Sequence, residues 1–467
     1  MRLLIRDGQT KRRVCAMKLD QSAVVVEKQG GLVPAIETRT RRNTSQGVNP
    51  GHYPLRFPLA IVNFALDHTF QATCFFLNTY TWFNASNTVE TSFKHGAGSA
   101  ESLGQKAMMA SIASVGLANL ATLCDPKMVT ADTTLTAIVC LSLFEIIACQ
   151  RNESLLSWTE HSQGVATVLE LRGRDQLRRE GGFWMFQALR NEVLLGCLQK
   201  KTRLPSVLID MSDQVATDLM SYTLPTDGDR LVKVMAKFAG VQADVREGIL
   251  SDSSEIVKMA MAIDLELEQF ASNVSASFTY KVETQPGSVS SCEDEKGNFC
   301  HYQGTYHIYQ SVWSCNIWNN YRYIRILVND MILDHLRLMA LGGHQVLDYG
   351  LFKAHCIRIR DLMRQLATDI CCSIPFKFGV AGNESKNVFD SPHTYAGTGF
   401  TLLLPLTMAA LVGGASSPMH NWAMRCFNVI GREMGIGTAL TIMTVLREEQ
   451  GGLHWIDAME SGDTVWQ

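Results

Sequence analysis

Apolar residues recur at steps of three and four along most of the chain, which predicts a protein built from helices with one buried face. The clearest case is the stretch 154–173. Its apolar stripe consists of Leu155, Trp158, His161, Val165, Val168 and Leu169. Gly164 lies beside the stripe, where a missing side chain allows a neighbouring helix to approach. This stretch therefore predicts a helix in an α-helical core, with Trp158 as a structural anchor.

The end of this predicted helix has its own signal. Gly173 follows Arg172 as a C-terminal cap would, since glycine readily adopts the left-handed conformation that ends many helices. The cation of Arg172 is placed to meet the negative end of the helix. We therefore expect the helix to end at Arg172.

The same period predicts further helices, which proline and glycine separate. Asp132 is placed to cap the N-terminus of one of them. The predicted helical segments are Leu59–Phe83, Glu101–Leu123, Thr133–Cys149, Phe183–Lys200, two or three helices within 210–270, a helix within Tyr306–Met339, Leu351–Cys372 and Gly397–Ala410. Residues 271–304 are rich in Ser, Thr, Gly, Glu and Asp and predict a long surface loop. The expected fold is all-α, with strand content near zero outside the N-terminal arm.

Charge divides the chain into two parts. Residues 1–50 carry ten Lys and Arg against four Asp and Glu, so their balance is +6 within a total of -3, and the remaining residues carry -9. This predicts a loose basic arm over 1–50 and a helical body over 51–467. The basic runs at Lys11–Arg13 and Arg39–Arg42 resemble localisation signals, although a solvated charged tail has the same composition.

Composition restricts the class of protein. Apolar residues make up 46% of the chain and the mean hydropathy is +0.02, values typical of a globular protein with a large core. The uncharged segments Ala107–Cys124 and Gly399–Gly414 are too polar or too short for a membrane span of about 20 residues, so we expect a soluble protein. The thirteen cysteines show no paired spacing, which favours a reducing compartment.

Candidate chemistry is sparse. Cys292, Cys300 and His301 come nearest to a metal-ligand group, but their spacing fits no common zinc template, and incidental thiols in a loop explain them better. Gly435-Ile436-Gly437 begins like a dinucleotide-binding loop, yet Leu440 occupies the position of the third glycine and no strand is predicted before it. We therefore expect no catalytic, cofactor-binding or metal-binding residues, and a protein that is not an enzyme.

Two blocks of the sequence resemble the fungal-specific transcription factor regulatory domain, the helical region of fungal binuclear zinc-cluster regulators. The first block resembles the W-x-x-H-x-x-G-x7-R-G signature of that family. It contains Trp158, His161, Gly164, Arg172 and Gly173. The second resembles the W-N-x-Y-R-x-x-R-I helix of the family. It contains Trp318, Asn319, Tyr321, Arg322, Arg325 and Ile326.

Two further blocks resemble the same family. One is the helix that ends before Leu204-Pro205, and the other comprises Gly397–Ala410, Trp422 and the residues from Gly431 onward. The four blocks occur in the expected order over roughly residues 52–460. The resemblance implies an all-α regulatory domain of a nuclear transcriptional regulator, whose partners are the transcription machinery or a second copy of itself. It also leaves room for a metabolite effector.

The zinc cluster of that family is missing from this sequence. Two zinc ions in such a cluster share six thiolates at C-x-x-C-x6-C spacing, twice over, and no C-x-x-C occurs among the 467 residues. At most, non-specific DNA binding by the basic arm is expected. The alternative function is a stand-alone small-molecule-binding or protein-interaction scaffold of the same fold.

Three residues of the resembling blocks have competing interpretations. His161 fits either a catalytic base or, as we favour, a hydrogen-bonded core histidine. Arg322 and Arg325 fit either an anionic effector or, as we favour, ion pairs with carboxylates and caps on carbonyl groups between helices. These alternatives depend on what surrounds the three side chains in the fold.

Overall fold

The computed structural model describes residues 129–148, 152–217, 227–284, 302–342, 349–379, 396–415, 417–447 and 453–461. Within these ranges lie twelve α-helices and one two-stranded sheet, which confirms the all-α prediction. The predicted helices Leu59–Phe83 and Glu101–Leu123, the arm 1–50 and the residues Cys292, Cys300 and His301 lie outside the described residues.

Six helices precede the sheet in the described chain. They are α1 (Asp132–Ala148), α2 (Asn152–Arg172), α3 (Glu180–Lys200), α4 (Ser206–Thr217), α5 (Asp227–Arg246) and α6 (Ser253–Ser272). The segment 210–270 thus contains the end of α4 and nearly all of α5 and α6. Asp252 caps α6, because its carboxylate accepts a hydrogen bond from the N–H of Ser254 at 3.1 Å.

A β-hairpin follows α6. Strand β1 (Tyr280–Thr284) pairs antiparallel with β2 (Thr305–Tyr309), in a register that places Tyr280 opposite Tyr309 and Val282 opposite His307. The surface loop predicted over 271–304 was wrong at Tyr280–Thr284, whereas one pair of five-residue strands among the described residues agrees with the expected strand content near zero. Thr, Tyr, Val and Ile favour strands, but each strand needs a partner some twenty residues away, which the local pattern does not reveal.

Six more helices follow the hairpin. They are α7 (Val312–Leu341), α8 (Tyr349–Lys377), α9 (Ala396–Gly413), α10 (Pro418–Arg432), α11 (Gly437–Arg447) and α12 (His454–Ser461). Helix α7 begins later than Tyr306, because the Oγ of Ser311 accepts a hydrogen bond from the N–H of Ser314 at 3.0 Å and so caps it. No helix in the described part of the chain combines the length and apolar character needed to cross a membrane.

Helix α7 is the central element of the second half. It packs against α5, α6, α8 and α9, and β2 lies over both α7 and α8. Ile324, Ile326 and Val328 in the middle of α7 are fully buried. Because neighbours surround α7 on several sides, polar side chains along its middle must find their partners inside the protein.

Close helix packing in the first half requires a glycine at one position. A Cβ on Gly196 of α3 would lie 2.2 Å from the Oγ of Ser162 on α2, whereas a Cβ on Gly164 would lie 3.9 Å from the nearest side-chain atom, in Ile138. The close approach that we expected at Gly164 therefore occurs at Gly196 instead. At Gly196, α3 thus lies directly against Ser162 of α2.

Candidate functional site

The W-N-x-Y-R-x-x-R-I block occupies the buried middle of α7. Trp318, Asn319, Arg322 and Arg325 are all at least nine-tenths buried. Their spacing of one, three and three residues places them on one broad face of the helix. That face meets the β-hairpin, α6 and α8, so the block lies where several elements join.

We call the place where the β-hairpin, α6, α7 and α8 meet the joint, and Arg322 lies at its centre. Its Nη1 donates hydrogen bonds to the Oη of Tyr309 at 2.7 Å and to the Oδ1 of Asn319 at 3.0 Å. Its Nη2 lies 3.4 Å from the Nδ1 of His307. In the described part of the chain, no carboxylate lies within ion-pair distance of this guanidinium. Arg322 is thus a buried cation held by neutral groups.

Three aromatic rings surround the guanidinium of Arg322. Its Cζ lies 5.2 Å from the ring centroid of Tyr280, 5.7 Å from that of Trp318 and 5.9 Å from that of Tyr309. A cation within about 6 Å of a ring face is attracted by the ring quadrupole, most strongly where water is absent. The rings therefore offset part of the desolvation cost of the charge.

His307 on β2 is a hydrogen-bond acceptor in this joint. Arg322 has only donors, so the Nδ1 of His307 must accept, and the hydroxyl of Tyr309 at 3.0 Å then donates to the same Nδ1. The proton of the neutral ring is assigned to Nε2, which lies 4.0 Å from the Oδ1 of Asp369 on α8. Burial and the nearby Arg322 lower the pKa of His307 to about 3, so the ring is neutral near pH 7.

The same joint connects α7 to its other neighbours. The Nε1 of Trp318 donates to the carbonyl of Phe278, just before β1, at 2.6 Å. The Nδ2 of Asn319 donates to the Oγ of Ser373 on α8 at 2.9 Å. Burial raises the pKa values of Tyr309 and of the Cys315 thiol, which keeps both groups protonated. These contacts hold the hairpin, α7 and α8 in one arrangement.

Arg325 differs from Arg322. Its Nε and Nη2 donate to the two carboxylate oxygens of Asp264 on α6 at 2.8 and 3.1 Å, and its Nη1 donates to the Oη of Tyr321 at 2.8 Å. Asn329 donates to the same carboxylate at 2.7 Å. The favoured interpretation, an ion pair between helices, therefore holds for Arg325. Arg322 makes no ion pair within the described residues: its hydrogen-bond partners are uncharged side chains, and the carboxylate of Asp369 attracts it from beyond ion-pair distance.

The first resembling block lies near the N-terminal end of the described chain. Arg172, the last residue of α2, reaches past its own helix end and pairs with the carboxylate of Asp132, the first residue of α1. Gly173 follows with φ of +59°, a conformation that favours glycine. Asp132 thus does more than begin its helix, since its carboxylate ties α1 to the end of α2.

The remaining residues of this block lie within α2. His161 is half-buried on that helix, one turn before the fully buried Val165. The side chain of Trp158 lies outside the described residues. The proposal that His161 has a structural role and not a catalytic one stays a prediction.

Sequence reasoning missed a second buried polar group, at the junction of α7, α8 and α9. The Nζ of Lys377 donates to the Oδ1 of Asn316 and, at 2.9 Å, to the Oγ1 of Thr401. Lys377 is 2% exposed and Asn316 is 6% exposed. Asn316 precedes the resembling block by two residues, and an Asn inside an apolar helix pattern was the only sequence signal that could have found it.

The other candidate groups have simple places in the fold. Cys371 and Cys372 are buried in α8, and burial raises the pKa of Cys372 to about 12. Gly435, with φ of +75°, forms the turn between α10 and α11, where the preceding element is a helix. Among the described residues, no three or more His, Cys, Asp or Glu side chains form a group that could hold a metal ion.

Comparisons of the chain with protein-family models, with curated proteins and with solved structures found no match.

Proposed function

We propose that the chain is a transcriptional regulator of the fungal zinc-cluster type, acting in the nucleus through its helical regulatory domain. Its mechanism is protein contact, with the transcription machinery or with a second copy of the chain. DNA recognition by a zinc cluster does not come from these 467 residues, because the cysteine spacing is absent.

One observation carries the proposal. The second resembling block, Trp318 to Ile326, supplies the buried contacts at which the hairpin, α6 and α8 meet on α7. A sequence signature of a regulatory domain is expected to preserve a scaffold, because the domain acts through its shape and surface. Arg322, surrounded by three aromatic rings, and Arg325, paired with Asp264, both fit the role of scaffold residues.

A tethering experiment tests the proposal. The full chain is fused to a heterologous DNA-binding domain, and transcription of a reporter with the matching site is measured in a fungal host. We expect a change of at least about fivefold, in either direction, relative to the DNA-binding domain alone. Unchanged transcription from a fusion that is expressed and nuclear would contradict the proposal.

A matched pair of variants shows whether the folded domain causes the effect. Trp318→Phe removes the hydrogen bond to the Phe278 carbonyl, whereas Trp313→Phe changes a residue that is 37% exposed. We expect the first variant to weaken the reporter effect and the second to retain it. An equal effect from both variants would argue that the folded scaffold is not involved.

The second candidate function is a stand-alone small-molecule-binding or protein-interaction scaffold of the same fold, which would not act on transcription. The tethered chain would then leave the reporter unchanged while the purified chain still bound a ligand. The reporter assay and a ligand-binding assay on the purified chain therefore distinguish the two functions.

A further inference from the structure

Charged side chains hold the C-terminal helix α12 on α8. The carboxylate of Asp457 accepts hydrogen bonds from Arg360 at 2.9 Å and from Arg364 at 2.8 Å. Glu460, one turn later, also pairs with Arg360, and its carbonyl oxygen accepts a hydrogen bond from the Nζ of Lys353 at 3.4 Å. Later residues of α12 thus meet earlier residues of α8, so the two helices run in opposite directions.

Apolar side chains anchor the inner face of α12. Trp455, Ile456 and Met459 are buried, and the Cζ of Arg337 on α7 lies 5.5 Å from the ring centroid of Trp455. Their spacing of one and three residues places the three apolar side chains on one side of the helix. Helix α12 therefore docks as an amphipathic helix with apolar anchors and an acidic edge, a common mode of helix recognition.

The surface beneath α12 carries more cations than α12 neutralises. We call it the basic surface, and it consists of Arg337 of α7 and of Lys353, Arg360 and Arg364 of α8. Arg360 also pairs with Asp361 of its own helix at 2.9 Å. In the described part of the chain, no carboxylate lies within ion-pair distance of Arg337 or Lys353. A helix with more carboxylates than α12 would therefore form ion pairs that α12 does not form.

The basic surface continues in the direction in which α12 ends. Because α12 runs opposite to α8, its C-terminal end points toward the beginning of α8. Tyr349 lies four residues before Lys353, and Leu341 lies four residues after Arg337, so each extends the same stripe of its helix. Tyr349 is 51% exposed and Leu341 is 58% exposed. A helix longer than α12 would therefore cover apolar side chains that α12 does not reach.

Helix α12 is able to leave without disrupting the rest of the fold. It has eight residues, and a helix of this length is marginal without its packing partners. Its main neighbour is α8, which is itself packed against α7 and α9. Asp457 and Glu460 are partly exposed, so salt screens the ion pairs that hold α12. Undocking of α12 is thus a local event at the edge of the fold.

We propose that the basic surface binds an acidic amphipathic helix of a partner protein, which displaces α12. The partner helix places apolar anchors where Trp455 and Met459 lie, and it extends over Tyr349 and Leu341. Its additional carboxylates pair with cations such as Arg337, and this charge complementarity selects the partner. Helix α12 acts as a competitor within the chain. The binding goes beyond the proposed function and does not depend on a role in transcription.

Peptide binding to the full chain provides the test. The probe is a fluorescein-labelled synthetic peptide that contains residues 454–460 twice in tandem, because a seven-residue repeat keeps the apolar and acidic faces aligned. A peptide of the same composition in scrambled order is the control. Fluorescence anisotropy should show saturable binding of the tandem peptide with a Kd of about 50 μM or tighter. No binding, or equal binding of the two peptides, would overturn the proposal.

Charge-reversal variants locate the binding on the fold. Arg337→Glu should weaken binding of the tandem peptide by at least about fivefold, because it places a like charge on the basic surface. Lys281→Glu is the matched control, since Lys281 is exposed on β1 and its neighbour Tyr280 packs on Trp318, toward the other end of α7. Equal effects of the two variants would reduce the binding to a general effect of charge and overturn the assignment.

A variant without a charge change tests the displacement. Met459→Ala weakens the docking of α12, so the tandem peptide should bind at least about threefold more tightly to this variant. Unchanged or weaker binding, with thermal unfolding of the core retained, would place the peptide elsewhere and overturn the proposal. Concentration-dependent dimers of the full chain that the peptide dissociates would make a second copy the occupant, which would overturn the assignment to a partner protein. Since these readouts involve no transcription, their failure is distinguishable from failure of the tethering experiment.

Discussion

Arg322 on α7 and Tyr309 on β2 are joined by a hydrogen bond of 2.7 Å from Nη1 to Oη, and this bond ties the hairpin to the central helix. Tyr309 in turn donates to His307, so a chain of hydrogen bonds runs from the cation to a neutral ring. Buried charges are usually held by opposite charges. In this joint the guanidinium is held by hydrogen bonds and aromatic rings instead.

The first prediction compares the two arginines of α7. Arg322→Lys should destabilise the protein by about 2–4 kcal/mol, because an ammonium cannot match the planar contacts with Tyr309, Asn319 and three rings. Arg325→Lys should cost less, about 1–2 kcal/mol, since the lysine still faces Asp264. Denaturant unfolding of both variants measures the difference. A smaller loss at Arg322 than at Arg325 would contradict the described roles.

The second prediction concerns pH and His307. The folded pKa of about 3 lies below the ordinary value of 6.5, so the unfolded chain binds more protons between these values. Stability should therefore fall as the pH drops through this window. At about pH 5, the protonation of His307 should have lowered the free energy of unfolding by about 2 kcal/mol relative to neutral pH.

The variant His307→Gln isolates the contribution of His307 to the pH dependence of the free energy of unfolding. Glutamine can still accept a hydrogen bond through its carbonyl oxygen, but it does not titrate. The difference in unfolding free energy between wild type and variant, measured from about pH 4 to about pH 7, should shift in favour of the variant as pH falls. Parallel curves would show that His307 protonates equally easily in both states.

The third prediction separates two glycines. Gly196→Ala should cost about 1–3 kcal/mol, because the new Cβ would lie 2.2 Å from the Oγ of Ser162. Gly164→Ala should be neutral or stabilising by up to about 1 kcal/mol, since alanine favours helix and its Cβ has ordinary contact distance. Adding Ser162→Gly should restore part of the stability lost in Gly196→Ala. Equal costs at the two glycines would argue against the described packing of α2 on α3.

The fourth prediction tests the bond between Trp318 and the hairpin. Trp318→Phe keeps an aromatic ring but removes the donor to the Phe278 carbonyl, so it should cost about 1–3 kcal/mol. Trp313→Phe, at a residue 37% exposed, should stay within about 0.5 kcal/mol of the wild type. Thermal and denaturant unfolding both report these changes. If Trp318→Phe left the free energy of unfolding unchanged, the hydrogen bond would contribute nothing to holding the hairpin.

The fifth prediction concerns DNA. The purified chain should bind duplex DNA weakly, without sequence preference and with an affinity that falls steeply as salt rises, because Lys and Arg of the arm contact phosphates only. Deletion of residues 1–50, which carry the +6 balance, should abolish this binding. A mobility-shift competition at about 0.15 M salt measures it. One preferred site that resists excess random duplex would show that the chain reads DNA by itself.

The sequence by itself determined the helices and the general character of α7. Helical periodicity and capping depend on residues three or four positions apart, so the pattern placed α1, α3, the start of α8 and the end of α2 at Gly173 within a few residues. The clustering of Trp318, Asn319, Arg322 and Arg325 on one helix face was also visible in the sequence. The contacts that each of these side chains makes were not visible in the sequence.

The tertiary structure decided the partners. Arg322 meets a tyrosine thirteen residues before it, on a strand that exists only because another strand pairs with it, while Arg325 meets Asp264 on a different helix. The tight glycine is Gly196 and not Gly164, since Ser162 of a neighbouring helix sets the distance. Lys377 and Asn316 become neighbours only when α7, α8 and α9 pack together. Periodicity determines which face of a helix is buried, but only the packed neighbours determine whether a buried charge meets a carboxylate, an aromatic ring or a neutral polar group.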